Sequence, residues 1–388
     1  MPRSRLSTAL TDIVLGATPS FSAHRGIEAF TPERLTKTLR LGDARVVQAE
    51  VLEFGHGATD RCRLRLHWQS NTVRTTLPAS VFVKSTPHSL PSRAMVATLR
   101  MAEVESRYYT ELRHPTDKRS PRLFAARYRR GGRFLLVLED LIAQGASVYS
   151  LADSCPIDHA LSTIECLASL HADHWGSRQR PGWIRAENNR FGAPLLRTAL
   201  RIVRRRAARL ASRLNFPGDP IHFAEAVNYA QTRLERLTAG FATTICHGDP
   251  HLANTYALPG GGAGLLDWQN IHYSHGVRDV AYFVVTSLPV TVRRSHEEDL
   301  LRHYVACLAE HGAPRLPLSE AWKLYRYFAV GAWDTAAACA SYGALQDART
   351  GVEVLRRACV AVADLRLQQV LAEAVAGRLK PVQRMHRV

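Results

Sequence analysis

Between Val46 and Trp68 apolar and polar residues alternate with a period of two, broken by the short loop FGHGATDR, which predicts two adjoining strands. Leu77 to Lys84 continues the pattern, and within ASVFVK it sets Val81 and Val83 on one face and Phe82 and Lys84 on the other. A proline-containing break follows, then a helical stretch from Arg93 to Leu112. Two short apolar runs come next, Leu123 to Tyr128 and Arg133 to Leu138, separated by ArgArgGlyGly as a hairpin turn. Upstream, Thr31 and Pro32 precede ERLTKTLR as an N-cap and first-turn pair, so residues 1–40 read as a leading helical arm. From Leu151 onward the periodicity is helical, interrupted where two strand-like segments, Phe241 to Cys246 and Gly264 to Leu266, bracket a polar loop. The expectation is an α+β chain with a β-rich lobe over residues 1–140 and a mainly helical lobe over 141–388, divided near Glu139 to Ser147. Neither an internal repeat nor a low-complexity linker is visible.

Composition narrows this picture. A chain of 388 residues can bury a large core, and the length suits two lobes. There is no run of eighteen apolar residues, so membrane insertion is not expected. Arg3 and Arg5 precede LSTALTDIVLGATPSFSA, but Asp12 and several hydroxyl residues interrupt any signal-peptide core, and a cytoplasmic protein is expected. Seven scattered cysteines without a CxxC pair fit a reducing compartment and no structural zinc, with Cys246 a small core residue. The formal charge of +17 raises nucleic acid as a partner. Only five of the fifty-one basic residues are lysine, however, and the arginines are spread through alanine-rich helices without an RNP, zinc-finger or KH context. Nucleic-acid binding is therefore not expected on sequence grounds.

The chemistry concentrates in ICHGDPHLANTYALPGGGAGLLDWQN, residues 245–270. Asp249 follows HisGly, Asn254 stands five residues later, and Asp267 closes the second apolar run. Phosphoryl transfer needs a carboxylate to orient the attacking hydroxyl and oxygen ligands to hold Mg2+ against the phosphates. Asp249 suits the first task, Asn254 and Asp267 the second.

HGDPHLAN followed by LLDWQ resembles the catalytic loop and metal-binding segment of the aminoglycoside phosphotransferase and choline kinase superfamily. The DWQ ending, LVLEDL and LASLHADHW are most similar to its ecdysteroid-kinase-like branch. The resemblance implies a two-lobed protein-kinase-like fold and an ATP- and Mg2+-dependent phosphotransferase with an alcohol group as acceptor. His251 and the Trp268 Gln269 pair, in place of the HRD and DFG of protein kinases, imply small-molecule substrates. Lys84 matches the strand lysine that contacts the α and β phosphates, and its ion-pair partner comes from Glu103, Glu105 or Glu111, of which Glu105 in ESRYY fits the family best. Phe54 to Thr59 would form the loop over the phosphates, with Gly55 and Gly57 permitting close backbone approach and positive φ, and Thr59 closing it. Leu138, Glu139 and Leu141 would contact adenine. His171 is expected to support the catalytic loop, and Asp279 resembles the family residue that braces it.

The acceptor pocket is expected within residues 176–239. There Arg201, Arg205, Arg209 and Arg213 recur every four residues opposite Leu200, Val203, Ala207, Leu210 and Leu214. Such a stripe reads as a solvated face or as a cationic wall. Acidic residues in this stretch are only Glu187, Asp219, Glu225 and Glu235, too few to pair with a polycationic aminoglycoside, so a neutral or anionic acceptor is expected. Two other classes stand beside the kinase: a nucleotide-binding pseudokinase, against which the intact Lys, Asp, Asn and Asp set counts, and a basic nucleic-acid-binding protein.

Overall fold

The computed structural model describes residues 30–71, 77–129, 132–177, 180–186, 194–241, 244–341 and 347–378. Residues 1–29 of the expected arm, with Arg3, Arg5 and Asp12, lie outside the described residues, as do Arg130 and Gly131 of the hairpin turn and Glu187. The chain forms two compact units: one comprises residues up to Ser147 together with Asp267–Asn270, the other Val148–Leu266 and the residues from Ile271 on.

In the first unit, Thr31 caps the helix Pro32–Leu39 by accepting the Arg34 N–H, as the Thr-Pro pair predicts. Strands β1 (Arg45–Gly55), β2 (Asp60–Gln69), β3 (Ser80–Ser85), β4 (Leu123–Arg129) and β5 (Arg133–Glu139) form an antiparallel sheet in the order β1-β2-β3-β5-β4. Alternation buries Cys62, Leu64 and Leu66 of β2 with Val81 and Val83 of β3 and Leu135 and Val137 of β5 against Leu35 and Leu39. The opposite face of β3 carries Phe82 and Lys84, the latter paired across the sheet with Arg61 and Leu136.

The single helix expected from Arg93 to Leu112 is two helices, Leu90–Thr98 and Met101–Arg107, continued by a π turn at Tyr108–Leu112. Arg100 breaks it by adopting φ 59° while its guanidinium pairs with Glu103. Periodicity alone does not reveal one left-handed residue.

In the second unit the helices Ile157–Asp173, Pro220–Gly240, Val277–Ser287, Val290–Glu310, Leu318–Ser341 and Ala348–Asp364 bury one large apolar core. Short strands carry the polar loop: Thr244–Cys246 pairs with His272–Ser274, and Thr255–Ala257 with Ala263–Leu265. Phe241, read from sequence as strand, instead caps the end of Pro220–Gly240 and packs on Tyr327 and Phe328. No helix among the described residues is long and apolar enough to cross a membrane.

Candidate functional site

Three predicted residues meet in the first unit. Lys84 Nζ donates to both carboxylate oxygens of Glu105 at 2.8 Å and to Asp267 Oδ1 at 2.5 Å. Glu103 turns the other way, onto Arg100, so Glu105 is the partner of Lys84. Lys84 is 5% exposed and Glu105 1%. Burial disfavours charge on the ammonium, but Asp267 and Glu105 overcome it and raise its pKa. Burial also pushes the Glu105 carboxyl up to about 7 against the pull of Lys84. Burial is the largest cause; the Asp267 charge adds to it, while Lys84 and Arg61 oppose it.

Two features fix Asp267, and the sequence announced neither. Its backbone adopts φ 64°, a left-handed conformation that costs a non-glycine residue of order 1 kcal/mol and clusters at functional positions. The next residue, Trp268, is fully buried and stacks on Tyr108 at 3.8 Å between ring centroids and 6° between planes. Tyr108 is itself held by a hydrogen bond to Ser120. Trp268 thus anchors Asp267 rather than presenting itself to a ligand.

The loop Gly55 to Thr59 joins β1 to β2, but neither Gly55 nor Gly57 has the positive φ expected of it. A Cβ at Gly55 would meet open space, and at Gly57 would press on the movable Arg61 guanidinium, so neither glycine is required by its neighbours. Thr59 is buried. At the end of β5, Leu138 is buried in the sheet, and the Glu139 N–H donates to the Arg122 carbonyl while its carboxylate accepts the Arg122 N–H. The Leu141 carbonyl closes the turn that follows, accepting from Gln144 and Ala146.

The residues expected to form the catalytic loop lie in the second unit. Asp279, wholly buried, accepts the backbone N–H of His247 at 2.6 Å and of Gly248 at 3.1 Å, and His171 Nε2 at 3.3 Å. His171 Nδ1 is in turn bonded to Tyr304 at 2.9 Å. Gly276 has no alternative: a Cβ there would strike Tyr304 and the His171 ring. Burial works against charge on Asp279, yet the His171 hydrogen bond and the Arg278 charge hold its carboxyl well below the usual range. His247 links the loop to its far end, bonding the Leu266 carbonyl through Nε2 at 2.8 Å and accepting the Asp249 N–H through Nδ1.

Asn254 donates through Nδ2 to the Asp249 carbonyl at 2.9 Å, which leaves its Oδ1 as the end turned away from that backbone. Leu266, the residue before Asp267, donates to the Asn254 carbonyl at 2.8 Å. Asp249, half-buried, accepts a 2.6 Å hydrogen bond from Tyr282, a residue that sequence reasoning passed over. Its position three residues after Asp279, one helical turn along, was the available signal.

Arg201, Arg205, Arg209 and Arg213 are all exposed on the helix Pro194–Arg213, the solvated-face arrangement, and Leu214 is exposed with them. The arginine that matters to packing is Arg204, buried and bidentate to Asp334 at 2.6 Å, with Asn228 and Gln231 on its remaining nitrogen.

No curated protein matches the sequence. Among solved structures the chain is similar to a spectinomycin phosphotransferase solved with ADP and spectinomycin, at 11% identity over 87% of this chain and 97% of that one, TM-score 0.50. It is also similar to a choline kinase from Cryptosporidium parvum Iowa II, at 9% identity over 86% and 91%, TM-score 0.47. A third is an aminoglycoside phosphotransferase from Alicyclobacillus acidocaldarius subsp. acidocaldarius DSM 446, at 15% over 91% and 99%, TM-score 0.44. The first likeness shows the fold, the two-lobed protein-kinase-like type with a small β-rich lobe and a larger helical one. The sequence pattern of the ecdysteroid kinase-like family matches residues 57–313, well over half of the chain, and the chain belongs to that family.

Proposed function

We propose that this protein is a small-molecule kinase that transfers the γ-phosphoryl group of ATP, with Mg2+, to a hydroxyl group of a neutral or anionic organic acceptor. One observation carries the reading: the buried Lys84 is clamped by Glu105 and Asp267, which brings the strand ammonium and the Asp267 carboxylate into one cluster. An ammonium is a binding group for phosphate oxygens, and a carboxylate is one for a divalent cation. Asp267 and Asn254 offer carboxylate and amide oxygens, the hard donors that Mg2+ takes. When bound, the metal supplies neutralisation of the phosphate oxygens.

Lys84, aimed by Glu105, would bind the α and β phosphates. The Gly55 to Thr59 backbone would cover them, and Leu138, Glu139 and Leu141 would flank the base. Asp249 orients the acceptor hydroxyl and takes up its proton as that oxygen bonds to the γ-phosphorus and the bond from the phosphorus to the β–γ bridging oxygen breaks, releasing ADP, while Tyr282 and Asn254 hold Asp249 in place. On this reading residues 1–140 bind nucleotide, residues 141–388 carry the catalytic loop and the acceptor site, and the enzyme works in the cytoplasm.

The acceptor class follows from where the acids are spent. Glu235 pairs with Arg197 and Asp334 with Arg204, both at 2.6 Å, and Asp219 caps the helix Pro220–Gly240. These carboxylates are already committed, and a polyammonium substrate would have to break such pairs to bind. The test is ATP consumption screened against hydroxylated metabolites, sterol-like alcohols, sugars and antibiotics, with phosphorylated product detected by mass. Transfer to a neutral or anionic alcohol, lost in Asp249→Asn, is expected; efficient transfer to kanamycin-type substrates would overturn the acceptor assignment.

A further inference from the structure

A second set of donors lies in the second unit, away from the residues assigned to phosphoryl transfer. The helix Ile157–Asp173 packs along Val290–Glu310. On the latter, His303 and Cys307 stand one turn apart, and Glu165 faces them from the former. His303 Nε2 is 3.0 Å from Glu165 Oε1 and 3.7 Å from Cys307 Sγ, and one donor atom from each of the three residues lies within 4.8 Å of the others. Tetrahedral zinc, with bonds of about 2.0–2.3 Å, sets its donors roughly 3.3–3.7 Å apart, so small side-chain rotations close the set.

Glu310 follows at the next turn of the same face. Burial, then the Glu165 and Glu310 charges, push the Cys307 thiol up. Even in a chain with fifty-one basic residues, the ion-pair partner of Glu165 is this histidine. The other group of comparable donors, His171, Cys246 and Asp279, is already spent in the brace of the catalytic loop.

We propose that Glu165, His303 and Cys307, with Glu310 or water in the fourth position, bind a thiophilic divalent cation of the zinc type. Sulfur and imidazole donors favour zinc over Mg2+, which prefers oxygen, so the site is chemically distinct from the Asn254 and Asp267 pair. The metal would clip together the two helices that carry His171 and Tyr304, whose hydrogen bond lies one residue along from His303. Through His171 and Asp279 the clip would stiffen the backbone of His247 and Gly248. Binding releases the Cys307 proton, so affinity should rise with pH.

The test does not depend on the kinase assignment. The full chain, stripped with a chelator and dialysed into excess Mg2+, is titrated with Zn2+ by calorimetry and with Cd2+ by ultraviolet thiolate-to-metal absorption. One equivalent of Zn2+ is expected, with a raised melting temperature. Cys307→Ser should abolish the Cd2+ band, and His303→Asn should weaken Zn2+ binding at least tenfold. His303 is partly exposed, so His303→Asn keeps the test usable if Cys307→Ser fails to fold. No stoichiometric Zn2+ binding by the wild type, or unchanged affinity in His303→Asn, would overturn the proposal, as would a Cd2+ band that survives Cys307→Ser.

Discussion

The Lys84 cluster of the first unit and the Asp279 brace of the second are both buried and both charged, yet they are balanced in opposite ways. Asp279 has two backbone amides, an imidazole and the neighbouring Arg278 guanidinium arrayed on its two oxygens. Its charge is fully answered, and its carboxyl sits well below the usual range. Lys84 instead shares one positive charge between Glu105 and Asp267, and the Glu105 carboxyl rises to about 7. A satisfied network rigidifies the groups it joins. The Asp279 network thus fixes a loop, whereas at Glu105 burial outweighs the pull of its cations.

The sharpest break in that comparison is a pair of substitutions. Asp279→Ala strands the His247 and Gly248 amides and His171, and should lower unfolding free energy by about 4 kcal/mol. Asp267→Asn relieves the excess negative charge and should leave stability within about 1 kcal/mol or raise it, while removing metal-dependent nucleotide binding. Denaturant titration of both variants decides; equal losses would mean that the two networks are balanced alike.

Next in size, Asp249→Asn should lower turnover at least about 100-fold with nucleotide affinity changed only a few fold, because orientation of the acceptor acts in the transition state. Single-turnover kinetics beside ATP titration separates the two effects. Removing the hydrogen bond to Asp249 in Tyr282→Phe should cost about tenfold in kcat with the KM for ATP unchanged, the range expected for a hydrogen bond to a charged group. An unchanged kcat would reduce Tyr282 to a packing residue.

A separate effect is one of pH. Burial keeps His159 and His275 neutral, with pKa values lowered to about 4 and about 3, and His275 Nδ1 accepts the Val277 N–H, which requires that nitrogen unprotonated. The unfolded chain binds these protons near pH 6.5. Between about 6.5 and 4 the unfolded state therefore holds more protons, and stability should fall as pH falls through that window. His275→Gln should flatten the slope seen in denaturation at stepped pH.

Much of this architecture was legible because period-two and helical patterns survive in the strands of the first unit and in the later helices. The spacing of Asp249, Asn254 and Asp267 was equally plain, since their loop is continuous in sequence. What escaped was long-range or backbone-encoded. Asp267 and Arg100 take left-handed conformations that no residue type there advertises. Trp268 finds its purpose only against Tyr108, and Tyr282 only against Asp249. The arginine stripe drew the eye to exposed positions, while the buried Arg204, Arg293 and Arg357 hold helices together through partners far along the chain. The Glu165, His303 and Cys307 group joins two helices well over a hundred residues apart, so a search for CxxC spacing had no means of seeing it.

Calorimetric titration of ATP into the wild-type protein with and without Mg2+, repeated with Asp267→Asn, tests the central claim most directly. The assignment of Asp267 to the metal and Lys84 to the phosphates predicts that Mg2+ tightens ATP binding by at least tenfold, and that Asp267→Asn erases the gain while retaining weak metal-free binding through Lys84. Equal ATP affinity with and without the metal in the wild type, or an undiminished gain in Asp267→Asn, would contradict it.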